Sequence, residues 1–375
     1  MEIVMSASAP AFLSSFVITP RPLAMPDLFV DHQKMGRSGH IGHAMFQRPD
    51  GEIFAFYASC TSDDPGRHGT KGHSATGWME LKRSKDAGQT WSEAVSLKYS
   101  KQAFDAKSGF SIFTEKAIVT DTGAIVLFHL LSDISRDALW EPYLVPTSTR
   151  SVDGGETWNE PIEVGPDRGR VYDTAYANGT IYALKFKNDA EDDFCGTTDE
   201  HVYTLYASRD DGAAFTPLAD LPFETRGRGY GTLCLLADGR MIAYVYNKHD
   251  EEYLDYTISA DGGLTWSAPK SSFFAKRIRN PQMIAYGGGY FLHGRSGSYG
   301  PVERKGNFVI YYSPNGIDWD EGTYLVMREH GQGAYSNSIV VRPLDPNGRE
   351  RLYIHASHAY AADSTNIVSW WVDRV

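Results

Sequence analysis

The sequence is short of cysteine, of basic charge and of long apolar runs, and each shortage removes a class of protein. Cys60, Cys195 and Cys234 are the 3 cysteines in 375 residues. They share no metal-ligand spacing, and an odd count cannot describe a disulfide framework, so they read as reduced structural thiols. Lys and Arg number 36 against 47 Asp and Glu, a formal charge of −11. Chains that track a phosphate backbone or an anionic bilayer carry a Lys/Arg surplus, so neither nucleic acid nor membrane is an expected partner. No run approaches the ~20 apolar residues needed to cross a bilayer. Residues 1–20 lack a basic leading region, and Ser and Pro interrupt their apolar stretches. The reading is therefore no signal peptide and a cytoplasmic location. The acidic run Asp189, Glu191, Asp192 and Asp193 falls between predicted strands and reads as a solvated loop, so neither metal nor cofactor is expected.

What the chain has in quantity is aromatic rings and turn formers: 22 Tyr, 18 Phe, 8 Trp, 36 Gly and 18 Pro. That is the composition of a β protein with many tight turns. One short motif recurs five times, and it organises everything else. It runs through Ser84, Asp86, Gly88, Thr90 and Trp91; Ser151, Asp153, Gly155, Thr157 and Trp158; Ser208, Asp210, Gly212 and Phe215; Ser259, Asp261, Gly263, Thr265 and Trp266; and, shortened, Ser313, Asn315, Gly316 and Trp319. Successive serines lie 67, 57, 51 and 54 residues apart, the period of a propeller blade. The Asp carboxylate can bind amides further along the turn, and the Gly supplies positive φ. The aromatic then opens the outgoing strand and buries a large ring. These aspartates are read as turn holders and not as ligands.

Placing each motif between the third and fourth strands of a blade lets alternation and turn signals supply the remaining strands. The predicted fold is all-β, a single six-bladed β-propeller of four-stranded antiparallel blades over residues 1–375. The blades occupy residues 38–100, 110–165, 170–222, 227–272, 278–327 and 334–375. Their inner strands begin near His40, Ser111, Arg170, Arg228, Arg279 and Tyr335. The sixth blade lacks an outer strand, and residues 16–20 are the expected supplier, closing the ring so that no edge stays open.

Inner-strand starts in such a ring face one axial funnel. Here those positions carry Arg37, His40 and His43; Thr114 and Glu115; Arg170, Tyr172 and Asp173; Arg228 and Tyr230; Arg279, Asn280 and Gln282; and Tyr335, Ser336 and Asn337. Second-strand ends add Tyr246, Asn247, His293, Arg295, His355 and His358. A stability-only core would be aliphatic, so the polar, cationic set implies a polar ligand on the axis.

The repeated motif resembles the Asp-box of sialidases and their relatives, and the resemblance spans nearly the whole chain. Three segments sharpen it: Arg83 and Ser84 leading into the first box, Tyr335 and Ser336 opening the last blade, and Asp63 and Asp64 in the first-blade loop. The resemblance implies Tyr335 as a tyrosine nucleophile and Asp63 or Asp64 as general acid, an exception to the usual carboxylate nucleophile of glycosidases. The chain departs from that family at His40 to His43, where an Arg-Ile-Pro motif is expected. It departs again at Tyr230 and Tyr246, where a glutamate and a second substrate-binding arginine are expected. Arg37, Arg228, Arg279 and Arg295 could rebuild a carboxylate clamp from new positions. The substitutions also resemble the His, Tyr and Arg sites of propeller polysaccharide lyases, in which His40, His43 or Tyr230 would take an α-proton beside Arg228 and Tyr246. The expectation is an enzyme acting on an acidic oligo- or polysaccharide, a sialidase-like hydrolase ahead of a lyase, with a non-catalytic glycan-binding propeller as the third reading. Glu115, Asn280, Gln282, His293 and Asn337 are expected to line the substrate site.

Overall fold

Strands with one solvated face alternate apolar and polar residues, but here the second strand of each blade is buried almost throughout. All eight residues of Ile53–Cys60 are covered, as are all six of Met241–Tyr246. Continuous burial requires a partner on both faces, which stacked blades provide. The computed structural model describes residues 15–61, 75–135, 143–188, 202–224, 229–247, 250–296, 307–327, 335–343, 345, 347–361 and 364–375. Within them lie six antiparallel sheets in a propeller.

Blade one comprises Met45–Gln47, Ile53–Cys60, Gly77–Ser84 and Val95–Ser96, and blade two Phe110–Val119, Ile125–Asp133, Thr147–Ser151 and Ile162–Glu163. Blade three comprises Gly169–Ala177, Thr180–Lys187, Val202–Ser208 and Thr216–Asp220, and blade four Gly231–Leu235, Met241–Tyr246, Tyr253–Ser259 and Lys270–Phe273. Blade five comprises Arg279–Tyr286, Gly289–Arg295, Phe308–Ser313 and Thr323–Val326. Blade six comprises Ser336–Val341, Arg351–Ala361 and Ser364–Arg374. Two differences from the sequence reading stand out. The inner strand of blade one is only three residues long, because Gly42 turns at φ +80 and residues 40–44 run as irregular chain over the axis. A helix, Lys98–Asp105, connects blades one and two.

The ring closes as expected. Phe16–Thr19 pairs with the last strand, Phe16 opposite Arg374 and Thr19 opposite Trp371. That last strand is 11 residues long, more than a four-residue partner can cover. Asp27–Val30 returns to pair with its other half, Asp27 opposite Ser369. The Phe16 ring is then held among Tyr286, Phe291 and Tyr312 of blade five, at centroid distances of 5.1–5.9 Å.

The five repeated turns share one hydrogen-bond pattern. The serine hydroxyl accepts from the glycine amide at 2.8–2.9 Å in all five. In the first four the aspartate accepts the amide four residues on, as in Thr90 N–H to Asp86 Oδ1 at 2.9 Å and Thr265 N–H to Asp261 at 2.9 Å, whereas in the shortened fifth Asn315 Oδ1 accepts the amides of Ile317 and Asp318. These bonds draw the Asp86 and Asp261 carboxyls down to about 2, the threonine hydroxyl contributing most. What alternation did not show is where the glycines point. A Cβ on Gly88 would meet Trp371 of blade six at 2.5 Å, on Gly212 Val126 of blade two at 2.4 Å, and on Gly263 Leu205 of blade three at 2.4 Å. The aromatics follow: Trp91 stacks on Tyr353 of blade six, Phe215 packs on Phe128 of blade two, and Trp319 donates to the Tyr244 hydroxyl of blade four at 3.1 Å. Each turn therefore clamps its own blade onto the preceding one.

Candidate functional site

Three of the inner strands carry an extra residue at the same height. Thr114 pairs with His129 and Lys116 with Phe128, so Glu115 is a bulge. Val171 pairs with Lys185 and Asp173 with Leu184, leaving Tyr172. Arg279 pairs with Arg295 and Gln282 with His293, one residue too many on the inner strand. A bulge re-aims side chains and lets neighbours in sequence face the same way. Glu115 and Lys116 accordingly both line the axial cavity, together with Arg170, Tyr172, Tyr230, Asn280, Gln282 and Tyr335.

At the starting end of the axis Tyr335 donates its hydroxyl to that of Tyr230 at 3.3 Å, and the two rings meet edge to face at 6.1 Å. Both are buried, 6% and 3% exposed. Tyr230 holds φ +70, a conformation a bulky aromatic rarely adopts. Three arginines surround the pair. Arg170 lies 5.3 Å over the Tyr335 ring and donates through Nε to Glu115 Oε2 at 2.8 Å. Arg279 sits over Tyr230 at 5.3 Å and Tyr246 at 5.2 Å, with Glu251 Oε1 3.9 Å away. Tyr246 donates to the same Glu251 oxygen at 2.7 Å. Arg295 is the cross-strand partner of Arg279. Burial, then Arg279, draws Arg295 below its ordinary value. Arg279 itself is held high, because the Tyr230 and Tyr246 hydroxyls and Glu251 outweigh the burial that opposes its charge. Burial, then Tyr230, pushes Tyr335 well above the ordinary phenol value, while Arg170 and Arg295 pull the other way.

His40 packs edge-on against Tyr335, centroids 4.8 Å apart. Burial pushes its imidazole down to about 3, reinforced by Arg295, His43 and Arg170, so the ring is neutral. His43 is likewise driven down to about 4 by burial and lies with Nε2 3.4 Å from the His40 carbonyl oxygen. Below this layer Lys116 forms a floor. It ion-pairs with Asp173 at 3.0 Å, donates to Gln282 Oε1, and reaches Asn337 Oδ1 at 3.4 Å. Asp173 also accepts from Thr232 Oγ1 at 2.5 Å and from the Leu233 amide at 2.9 Å, so blades two to six are tied across the axis. The space above the floor is small, about 30 Å³, and partly open. A wider channel of about 740 Å³ opens on the opposite face. It is larger, but the convergent arginines and tyrosines lie at the other end, and chemistry follows them.

The structure thus brings His40, His43, Glu115, Tyr230, Tyr246, Arg279, Asn280, Gln282, Arg295, Tyr335 and Asn337 to one axial site. Two of the expected residues are occupied elsewhere. The Arg37 guanidinium packs 4.6 Å over Trp78 and bonds Ser59 Oγ at 3.0 Å and Glu80 at 3.6 Å, off the axis. His293 is strapped between Ser336 Oγ and Ser338 Oγ, each at 2.9 Å, a stitch between blades five and six. Asp63, Asp64 and Arg228, and the acidic run from Asp189, lie outside the described residues. Sequence reasoning passed over Lys116 and Glu251. Lys116 reads as the wrong phase of its strand until the bulge is known, and Glu251 lies in a polar turn with nothing to mark it. Cys60 and Cys234 are buried free thiols.

No family model and no curated protein matches the sequence. Solved structures do. A protein of unknown function from Dyadobacter fermentans superposes with a TM-score of 0.68 at 14% identity over 93% of this chain and 98% of that one. A Hadza microbial sialidase matches with a TM-score of 0.63 at 14% identity, over 92% of this chain and 68% of the other. A Penicillium chrysogenum α-L-arabinanase complexed with arabinobiose gives 0.58 at 15% identity, over 94% and 99%. At such identities the likeness establishes the propeller fold that these proteins share with this chain, and the site must speak for the chemistry.

Proposed function

We propose that this chain is a carbohydrate-active enzyme that cleaves the glycosidic bond beside an acidic sugar, as a sialidase-like hydrolase with Tyr335 as nucleophile. The observation that carries the reading is the Tyr335–Tyr230 hydroxyl pair at 3.3 Å set among three arginines. Among the described residues, Arg170, Arg279 and Arg295 face two buried carboxylates, Glu115 and Glu251, which leaves one cation more than the anions beside it for a sugar carboxylate. In a water-poor site a guanidinium and a carboxylate pair strongly and in two directions. The anion fixes the sugar ring over Tyr335, whose oxygen bonds the anomeric carbon as the bond to the departing oxygen breaks, while its proton leaves along the hydrogen bond to Tyr230, which yields its own to water in the axial space. Arg170 and Arg295 favour the phenolate as it develops. Asp63 or Asp64 fits the general acid that protonates the departing oxygen, on the family resemblance.

A second reading, an eliminating lyase on a uronate, is favoured by one contact: the neutral His40 ring against Tyr335. An imidazole can take an α-proton while an arginine stabilises the enolate, a contribution on the order of 10²–10⁴-fold when its basicity lies near the working pH; burial makes His40 a weak base and counts against this reading. The sugar of the arabinanase neighbour is named as arabinobiose, so the architecture by itself does not select acidic substrates.

One experiment separates the readings. The protein is incubated with a fluorogenic sialoside and, in parallel, with uronate polysaccharides followed at the ultraviolet band of an unsaturated uronate. Fluorophore release that collapses in Tyr335→Phe while sugar affinity holds supports the hydrolase. Unsaturated product, with His40→Ala the damaging change, replaces it with the lyase. Binding without turnover leaves a glycan-binding module.

A further inference from the structure

The least settled side chain in the site is Asn280. It is 4% exposed, yet neither its amide nitrogen nor its amide oxygen has a hydrogen-bond partner among the described residues. Buried polar groups are paired in the great majority of cases, so a doubly unpaired amide calls for a reason. Its backbone is equally unusual. Asn280 sits in the bulge of the fifth inner strand at φ +55, followed by Pro281. The opposite strand makes room for this: a Cβ on Gly294 would lie 2.7 Å from the Arg279 carbonyl oxygen and 2.8 Å from that of Asn280. An unpaired buried amide and a positive φ therefore coincide at one residue, which also lines the small cavity beside Tyr230 and Tyr335. Strain and unmet polarity kept together at a site are retained by what they do there.

We propose that Asn280 reads a hydroxyl of the bound sugar. The proposal rests on the acidic-sugar reading and adds to it a specificity-determining contact. A primary amide offers one donor edge and one acceptor edge, and a hydroxyl is the small group that answers both. The space that Asn280 lines is small, about 30 Å³, and partly open, and a hydroxyl of a sugar lying across its mouth can enter it in the place of a water. The bulge places Asn280 on the wall of that space, where a small turn of its side chain would bring the amide to a hydroxyl, and Gly294 lets the bulge close.

The test uses Asn280→Gly on the full chain, because glycine takes positive φ freely and carries no amide. In the absence of sugar the variant should melt a few degrees higher than the parent. A lower melting temperature, or failure to fold, would show that Asn280 holds the structure and would overturn the proposal. N-acetylneuraminic acid and glucuronic acid serve as calorimetric probes, with monodeoxy derivatives of whichever binds. In the parent one deoxy derivative should bind at least about 10-fold more weakly than its parent sugar, since a buried polar group is left unpaired. In Asn280→Gly the parent sugar should fall to that same level and the difference between the two should vanish. An unchanged affinity in the variant, or a deoxy penalty that persists in it, removes Asn280 from recognition. If the parent protein binds neither acid, the acidic-sugar reading fails separately, and the melting temperature alone decides whether Asn280 is strained for a ligand or placed for stability.

Discussion

At the scale of single residues the site is a set of stacked cations whose worth depends on planarity as much as charge. Arg279 lies against both the Tyr230 and Tyr246 rings, which meet edge to face at 5.7 Å, while facing Glu251, so its guanidinium is restricted on three sides. Replacement by Ala should weaken binding of the acidic sugar by about 1.5–3 kcal/mol, the range for hydrogen bonds to charged groups. Lysine should recover little of it, because a flexible ammonium cannot bind a carboxylate through two parallel bonds or lie flat against an aromatic ring. Titration calorimetry of both variants checks this, and full recovery by lysine would reduce the role of Arg279 to charge alone. His40 and Tyr335 were legible from sequence as members of this set. The pairing of Tyr335 with Tyr230 was not, because it joins residues more than a hundred positions apart across the axis.

At the scale of the element, the repeated turn does two jobs with one glycine. Gly212 needs φ +85, and a Cβ there would also sit 2.4 Å from Val126 in the preceding blade. Gly212→Ala should therefore cost more stability than the same change at Gly239, which has φ +87 but open space around it. Thermal melts of the two variants measure the difference: equal losses would mean that the turn conformation matters and the blade contact does not. Sugar affinity should be untouched in both, since these turns lie away from the axial site. The bulges in the inner strands are the converse case. They carry no residue signature comparable to the Ser, Asp and Gly of the turns, and a single extra residue reverses the phase of every later side chain. For that reason alternation put the strands of blades two, three and five in the right place and could not say that Glu115 and Lys116 share one face.

At the scale of the whole molecule, six histidines are sealed in neutral form. Burial drives His32 and His43 down to about 4, His40, His129 and His293 to about 3, and His355 well below its ordinary 6.5. The unfolded chain, with histidines near 6.5, takes up protons that the folded chain refuses. Their contribution is fully present above about pH 6.5 and is lost as pH falls towards 4, since the state that binds more protons gains on acidification. The Asp86 and Asp261 turns add a loss in the same direction at lower pH, below the ordinary carboxylate value of 3.8 and towards about 2. Melting temperature should accordingly be level near neutrality and drop steadily below about pH 6.5. A melting temperature that stays flat from pH 7 to pH 4.5 would show that these histidines are hydrated and not sealed.

The sequence alone determined the architecture, because a propeller is specified locally. Each turn carries its own Ser, Asp, Gly and aromatic, and their spacing counts the blades. The missing outer strand of the last blade pointed to residues 16–20, which pair with it at Phe16–Thr19. The tertiary structure decided which side chains meet on the axis. It moved Arg37 out to Trp78, turned His293 into a stitch between blades, and brought Lys116 and Glu251 into the site. The physical reason is that blade formation depends on contacts a few residues apart. The site depends on bulges and on distances across a ring of six independent strands, where a shift of one residue decides whether a charge faces the axis or the wall.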